Sequence, residues 1–258
     1  MNVQLLGCVE THTPDRRAIR VPGGAGLLLA VLAWTPGRFV PDEVAIDRVW
    51  QERAEPKNPR DSLYIVATRL RKALGSWGEH VIRRGGGYFL EVGEERVDVA
   101  RFRALVRRAE ESARLGSDER ATFLYDEALA LWRGEPLSDV RTGWADTVRV
   151  ALRHEYREAL AGALQVALRS GRAADHVPAL YRCVAEDPFD ERLTGLLMLA
   201  LAHGGCQSEA LGLYRQLRDR IVNALGCEPG AELRRLHERL LCGEEAARDL
   251  AYASVPAK

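Results

Sequence analysis

The sequence has no excess of charge of either sign and no long hydrophobic run. Its 258 residues carry 37 basic and 37 acidic side chains, so no overall field draws the protein to nucleic acid or to a membrane. The longest apolar run, residues 27–34, has eight residues, against the ~20 needed to span a bilayer. The N-terminus also lacks the basic and apolar regions of a signal peptide. We therefore predict a cytoplasmic protein without a membrane partner.

Patterns of cysteine and histidine that would hold a metal or a disulfide framework are missing. The five cysteines are widely spaced and form no C-x-x-C pair, so we expect free thiols, most of them buried. The six histidines show no metal-ligand spacing. Residues 21–27 are only faintly similar to a dinucleotide-binding loop, because Leu29 replaces the third glycine and Pro41 interrupts the following unit. We predict no enzymatic activity, cofactor or metal.

Residues 1–96 and 97–258 differ in pattern, which predicts two domains. The first is rich in turn residues and short apolar runs, predicting strands near 3–8, 18–21, 81–82 and 88–92 and helices near 27–34, 41–50 and 58–75. The second has long amphipathic segments, predicting helices near 99–115, 118–132, 143–170, 173–186, 190–203, 207–225 and 230–242. The predicted fold class is mixed and mainly α, an α+β domain followed by an all-α domain.

An internal repeat runs through the helical half. Gly171 and the pair Leu180-Tyr181 recur 33 residues later as Gly204 and Leu213-Tyr214. Helix pairs with a repeat of about 34 residues are typical of tetratricopeptide stacking, which buries a shared core and leaves a groove for partners. We therefore predict a tetratricopeptide-like helical domain over residues 97–258, although the full repeat consensus is not met.

The basic residues of the N-terminal half are concentrated in one segment. Residues 56–90 hold seven basic side chains and two acidic ones. Opposite the apolar face of the third helix lies a polar, partly cationic set, with two residues at its margins: Asp61, Ile65, Thr68, Arg69 and Lys72, then Ser62 and Arg71. Such a face suits the major groove, since arginine binds guanine, and threonine or isoleucine contacts a thymine methyl. A solvated surface is the alternative for this helix taken alone.

A glycine-rich hairpin follows this helix. Arg83 and Arg84 precede Gly85-Gly86-Gly87, which places two guanidinium groups at a thin tip. A narrow minor groove attracts inserted arginine, and two or three helices followed by a basic hairpin describe a winged helix-turn-helix. A plain turn is the alternative for the glycines, and Tyr88 is expected in the core.

Short motifs along the chain carry a resemblance to a known family. In the N-terminal half they are Leu5-Leu6-Gly7, residues 47–50 (DRVW), residues 69–75 (RLRKALG) and Gly87-Tyr88, and in the helical half Val97-Asp98, residues 128–137 (ALALWRGEPL) and residues 225–233 (LGCEPGAEL). In this order they resemble the Streptomyces antibiotic regulatory proteins, in which a response-regulator-type winged helix precedes a bacterial transcriptional activation domain. The resemblance covers residues 3–242.

The resemblance implies a nucleoid-associated transcriptional activator. It would bind direct repeats in double-stranded promoter DNA beside a second copy of itself, recruit RNA polymerase with its sigma factor, and switch on a secondary-metabolite (antibiotic) gene cluster. Arg69 matches the base-reading arginine and Arg84 the residue that enters the minor groove. The implied DNA-binding set is Arg60, Ser62, Ile65, Thr68, Arg69, Arg71, Lys72, Arg83 and Arg84. The implied polymerase-contact set is Gln51, Glu52, Arg53, Glu55 and Lys57.

A second hypothesis is a helical-repeat adaptor whose winged helix has weak or no independent affinity for DNA. The balanced charge favours it, as do Gly24 to Gly26, which stand where the family usually has basic residues. Salt dependence separates the two hypotheses, because binding through ~6 phosphates weakens ~10³-fold between 50 and 200 mM salt. An adaptor would show no duplex binding to weaken.

Overall fold

The computed structural model describes residues 1–13, 18–51 and 56–243. Its first element is a small antiparallel sheet of three strands in chain order: β1 (Asn2–Gln4), β2 (Glu10–His12) and β3 (Ala18–Arg20). Thr11 lies opposite Val3 on one side and Ile19 on the other, and its side chain is fully buried. The central strand of this sheet is therefore buried at Thr11, whereas the edge strand β3 is largely exposed.

Three helices and a second sheet follow. The helices are α1 (Gly23–Ala33), α2 (Asp42–Trp50) and α3 (Pro59–Leu74), and the sheet has the order β4 (Val40–Pro41), β6 (Gly87–Leu90), β5 (Val81–Arg84). Because α1 is apolar all round, nearly every one of its residues is buried, and it packs against α3. A 3-10 segment, Gly75–His80, leads from α3 into β5.

The rest of the described chain is mainly helical. It contains α4 (Asp98–Arg114), α5 (Asp118–Leu129), α6 (Gly143–Arg169), α7 (Val177–Glu186), α8 (Glu191–His203), α9 (Gln207–Leu225) and α10 (Ala231–Leu241). The mainly helical fold class is thereby confirmed. Within the described ranges, no helix is both long and apolar enough to cross a membrane.

Several sequence expectations about the N-terminal elements were wrong. The predicted strand 3–8 ends at Gln4, and β2 was missed because Glu10-Thr11-His12 has no apolar alternation. The short β4 was also missed, and Pro41 lies in it, opposite Gly87, rather than in the helix that follows. Helix α1 begins at Gly23, four residues before the predicted start, since its three glycines read as a loop.

The cysteines differ from expectation in their exposure. All five thiols are free, as expected, but only Cys183 is buried, and the other four are exposed. Burial raises the pKa of the Cys183 thiol to about 11. The expectation of mostly buried thiols was therefore wrong.

The chain divides into two compact units. The first comprises residues 1–105 and 127–154, and the second comprises residues 106–126 and 155–258. The two units reflect packing, whereas the predicted domains 1–96 and 97–258 rest on a change of sequence pattern. The predicted domain boundary stays a prediction.

The second unit is built around α8. Its residues from Leu193 to Leu201 are all buried, and α7, α9 and α10 pack on them. The glycines that end its helices have positive φ at Gly116, Gly171, Gly205 and Gly226, a conformation that glycine adopts without steric cost. The repeated Leu-Tyr pairs are not equivalent, because Leu180 is buried in the first and Tyr214 in the second.

Candidate nucleic-acid interface

Helix α3 separates its residues sharply between a buried and an exposed face. Leu63, Ala67, Leu70 and Leu74 are buried at 1% exposure or less. On the opposite face, Tyr64 and Ile65 are 57% and 50% exposed, and three further residues are exposed: Thr68, Arg69 and Lys72. The predicted orientation of this helix is therefore the one the structure has.

Two cations on this face have no charged partner. Among the residues that the structure describes, neither Arg69 nor Lys72 makes an ion pair or a side-chain hydrogen bond. Thr68 is different, since its hydroxyl donates a hydrogen bond of 2.9 Å to the carbonyl of Tyr64, one turn earlier. Ser62, at the margin of the face, is half-buried. The exposed face thus offers free positive charge next to apolar groups.

The C-terminal half of α3 is fastened to the β5–β6 hairpin. Arg71 donates two hydrogen bonds, of 2.9 and 2.7 Å, to the carbonyl of Val81. The guanidinium groups of Arg71 and Arg83 lie 5.8 and 4.7 Å from the centre of the buried Tyr88 ring. Burial raises the pKa of the Tyr88 phenol, and the expectation that Tyr88 belongs to the core is confirmed. The helix and the hairpin therefore form one body.

The hairpin is also fastened to the start of α2. The buried carboxylate of Asp42 accepts two hydrogen bonds of 2.8 Å from Arg83, and this contact raises the pKa of the Arg83 guanidinium. The backbone N–H of Asp42 donates to the carbonyl of Gly86 at 2.9 Å. Asp42 thus holds both the stem and the tip of the hairpin.

The tip leaves one arginine toward solvent. Gly85 and Gly86 have φ of +55° and +84°, so they form the tight turn that a narrow tip requires. Arg84 is exposed, with its guanidinium 5.8 Å from the centre of the Phe89 ring. No described residue forms an ion pair with Arg84.

The predicted DNA-binding residues therefore fall into two groups. Arg69, Lys72 and Arg84 are exposed and without an ionic partner among the described residues, and Ile65 and Thr68 lie exposed beside the first two. The others hold protein partners or are less exposed: Arg60 pairs with Glu43 at 2.7 Å, Arg71 and Arg83 hold the hairpin, and Ser62 is half-buried.

The predicted polymerase-contact residues are only partly visible. Gln51 and Lys57 are exposed, whereas Glu52, Arg53 and Glu55 lie outside the described residues. The side-chain oxygen of Gln51 accepts a hydrogen bond of 2.8 Å from the backbone of Trp144. Beside this segment, a groove between α2 and α3 has apolar walls and a rim of mixed charge, formed by Ile46, Trp50, Pro59, Glu43, Asp47, Gln51 and Arg60.

Comparison with known proteins now adds to this geometry. The family described as "Bacterial transcriptional activator domain" matches residues 97–241. The regulatory protein DnrI of Streptomyces peucetius is 30% identical over 251 residues, a match that covers 93% of this chain and 92% of DnrI. The chain belongs to the Streptomyces antibiotic regulatory protein family.

Other members of the family are longer than the matched region. The regulatory protein AfsR of Streptomyces coelicolor is 34% identical over 246 residues, which cover 95% of this chain and 24% of AfsR. The chain thus spans about a quarter of the length of that relative. A solved structure titled "Mycobacterium tuberculosis EmbR in complex with low affinity phosphopeptide" has a TM-score of 0.86 and 28% identity, covering 98% of this chain and 69% of that one.

The family consists of transcriptional regulators, and this chain is one of its members by sequence and by fold.

Two of the residues that shape its candidate interface were missed by sequence reasoning. Tyr64 shares a face with Asp61 and Thr68 at helical spacing, so a fuller inspection of α3 could have found it. Asp42 meets Arg83 across 41 positions, and no local pattern indicates such a pair.

Proposed function

We propose that this family member binds promoter DNA, with α3 in the major groove and Arg84 of the β5–β6 hairpin in the minor groove. One observation carries the proposal. Arg69 and Lys72 lie exposed and unpaired among the described residues, on a helix that Arg71 fastens to the hairpin bearing Arg84. Arginine reads guanine in the major groove, and lysine neutralises phosphate.

The architecture supports a winged helix-turn-helix over residues 1–96. The order α1, α2, α3 and a two-stranded hairpin is that of this motif, in which one helix enters the major groove. The helix pairs from α5 to α10 support a tetratricopeptide-like activation domain over residues 97–258. In this proposal the protein binds adjacent direct repeats as two copies, recruits RNA polymerase and activates an antibiotic gene cluster.

Retention of fragmented genomic DNA by the full chain at about 150 mM salt tests DNA reading. We expect enrichment of a few promoters that contain short direct repeats. Arg69→Ala should cost about 1–3 kcal/mol at the enriched site and relax its sequence preference. Lys72→Ala should weaken binding about equally on all sequences and lower the salt slope by about 1. Arg215→Ala, at an exposed arginine of α9, serves as the control. Equal retention across the genome, or none, would contradict the proposal.

Transcription in vitro tests polymerase recruitment. Lys57→Ala changes an exposed residue outside α3, so it should reduce promoter activation by more than it reduces the affinity for DNA. If Lys57→Ala activates the promoter as strongly as the unmodified chain does, Lys57 does not contribute to polymerase recruitment. The measurement needs purified polymerase and a promoter found by the retention experiment.

A helical-repeat adaptor is the second candidate. The partners of three arginines favour this candidate. Arg60, Arg71 and Arg83 bind protein groups, so fewer cationic side chains remain free for phosphate. A salt titration of duplex binding separates the two. Contact with ~6 phosphates gives a ~10³-fold loss between 50 and 200 mM salt, while an adaptor binds no duplex at either concentration.

A further inference from the structure

We propose that an apolar strip on α3, made of Tyr64, Ile65 and the methyl group of Thr68, reads the C5-methyl groups of thymines in the major groove. Tyr64 is its main specificity-determining residue. This inference rests on the proposed DNA binding, and it names the base chemistry that the helix selects.

The exposure of Tyr64 and Ile65 has no explanation in packing. Both are large apolar side chains at least half exposed, on a helix whose other face is buried at 1% or less. Contiguous exposed apolar groups are a feature of contact surfaces, and here two such side chains are adjacent on one helix. No described residue forms a hydrogen bond or ring contact with the Tyr64 side chain. The ring is therefore free to pack on a ligand.

Thr68 extends the strip because its hydroxyl is already used. The hydroxyl donates to the Tyr64 carbonyl at 2.9 Å, which fixes the side chain and leaves its methyl group as the free part. Residues four apart lie on the same helix face, so this methyl group follows the Tyr64 ring along the helix. Thr68 consequently offers an apolar contact rather than a hydrogen bond to a base.

The charges around the strip favour DNA over a protein partner. Asp61 lies one turn before Tyr64, and Arg69 and Lys72 follow Thr68, all exposed. From Asp61 to Lys72 the helix advances about 16 Å, enough to face about five base pairs. Asp61, before the strip, suits a hydrogen bond from a cytosine amine, and Arg69, after it, suits guanine. The apolar strip therefore faces the bases between these two contacts. Among the bases, only thymine carries a methyl group there.

The test begins with selection of binding sites by the full chain from random duplex DNA at about 150 mM salt. The selected site is then made in two forms, with thymine or with deoxyuridine at each central position, because deoxyuridine lacks only the methyl group. We expect the deoxyuridine form to bind about fourfold more weakly per buried methyl. Tyr64→Ala should lose most of this difference and keep only the part that Ile65 and Thr68 contribute, whereas Tyr64→Phe should keep the full difference because the ring remains.

A matched control variant is available in α5. Phe123 is an aromatic residue on a helix surface, 63% exposed, so Phe123→Ala should keep the full preference for thymine. Equal binding of both DNA forms by the unmodified chain would overturn the inference while DNA reading stands. A preference for thymine that survives undiminished in Tyr64→Ala would overturn the role of Tyr64. Absence of any selected sequence would refute the proposed DNA reading, and the inference with it.

Discussion

Replacing Asp98 by alanine should lower the stability of the first compact unit by more than a surface substitution does. Asp98, at the start of α4, is 8% exposed. It accepts hydrogen bonds from the backbone N–H of Leu5 at 2.8 and 2.9 Å, of Leu6 at 3.0 Å and of Val99 at 2.8 Å. A guanidinium N–H of Arg133 adds a fifth contact at 3.2 Å. One carboxylate therefore joins the N-terminal strand region to α4.

The magnitude follows from the donors that alanine would leave behind. A buried donor without an acceptor costs about 1–3 kcal/mol, and the backbone N–H groups of Leu5, Leu6 and Val99 would lose theirs. Water entering the vacated space recovers part of this cost, and Arg133 is partly exposed. We expect a loss of about 3–5 kcal/mol in the free energy of unfolding. Asp98→Asn keeps one acceptor and should lose about 1–3 kcal/mol.

Tryptophan fluorescence during urea unfolding measures this loss directly. All five tryptophans lie within the sequence ranges of the first unit, so their emission follows that unit. Glu91→Ala is the control, because Glu91 is an exposed carboxylate of the same unit outside its helices and should change stability by less than about 0.5 kcal/mol. A loss below about 1 kcal/mol for Asp98→Ala, with an unchanged denaturant slope, would refute the reasoning.

Three further predictions concern other contacts. Gly162→Ala would place a methyl group 2.4 Å from the Tyr125 hydroxyl and should cost about 1–2 kcal/mol of stability. Gly212→Ala meets no atom within 4 Å and should stabilise α9 by about 0.5–1 kcal/mol. Urea unfolding followed by circular dichroism measures both changes. Asp42→Ala should cost about 1–3 kcal/mol and weaken duplex binding, because Arg83 loses its buried partner. Burial lowers the pKa of His176, so the unfolded chain takes up its proton first below about pH 6.5. Lowering the pH from 7 to 5 should therefore cost the unmodified chain more stability than it costs His176→Leu.

Local sequence pattern predicted the helical elements well. The apolar spacing of Leu63, Ala67, Leu70 and Leu74 identified the buried face of α3, and glycines marked most helix ends. Such signals are local, since helix periodicity and chain reversal depend on neighbouring residues. The same reasoning placed Arg69 and Lys72 on the exposed face, where the structure has them.

Contacts between distant residues could not be predicted in this way. The resemblance implied that Arg71 and Arg83 contact DNA, which stays a prediction, but it gave no sign of the protein partners that the structure shows for them, the carbonyl of Val81 and the carboxylate of Asp42. Burial of an arginine stem depends on which strand crosses it, and that is a property of the whole fold. The short β2 and β4 escaped for a related reason, since their partners rather than their composition make them strands.

The packing of the first unit changes how the two halves of the chain should be tested. Backbone N–H groups of Arg133, Leu137 and Ser138 donate to carbonyls of Leu6, Leu5 and Gly7 at 3.0 to 3.2 Å. Asp98 and residues 133–138 both lie in the part of the chain that matches the activator-domain family. Together they supply the hydrogen-bond partners of the backbone at residues 5–7. Deleting residues 97–258 would remove these partners and expose buried amides, so loss of activation in such a fragment would report unfolding as much as the loss of a polymerase contact. Single substitutions at exposed positions, such as Lys57→Ala, separate the two effects because they leave this packing intact.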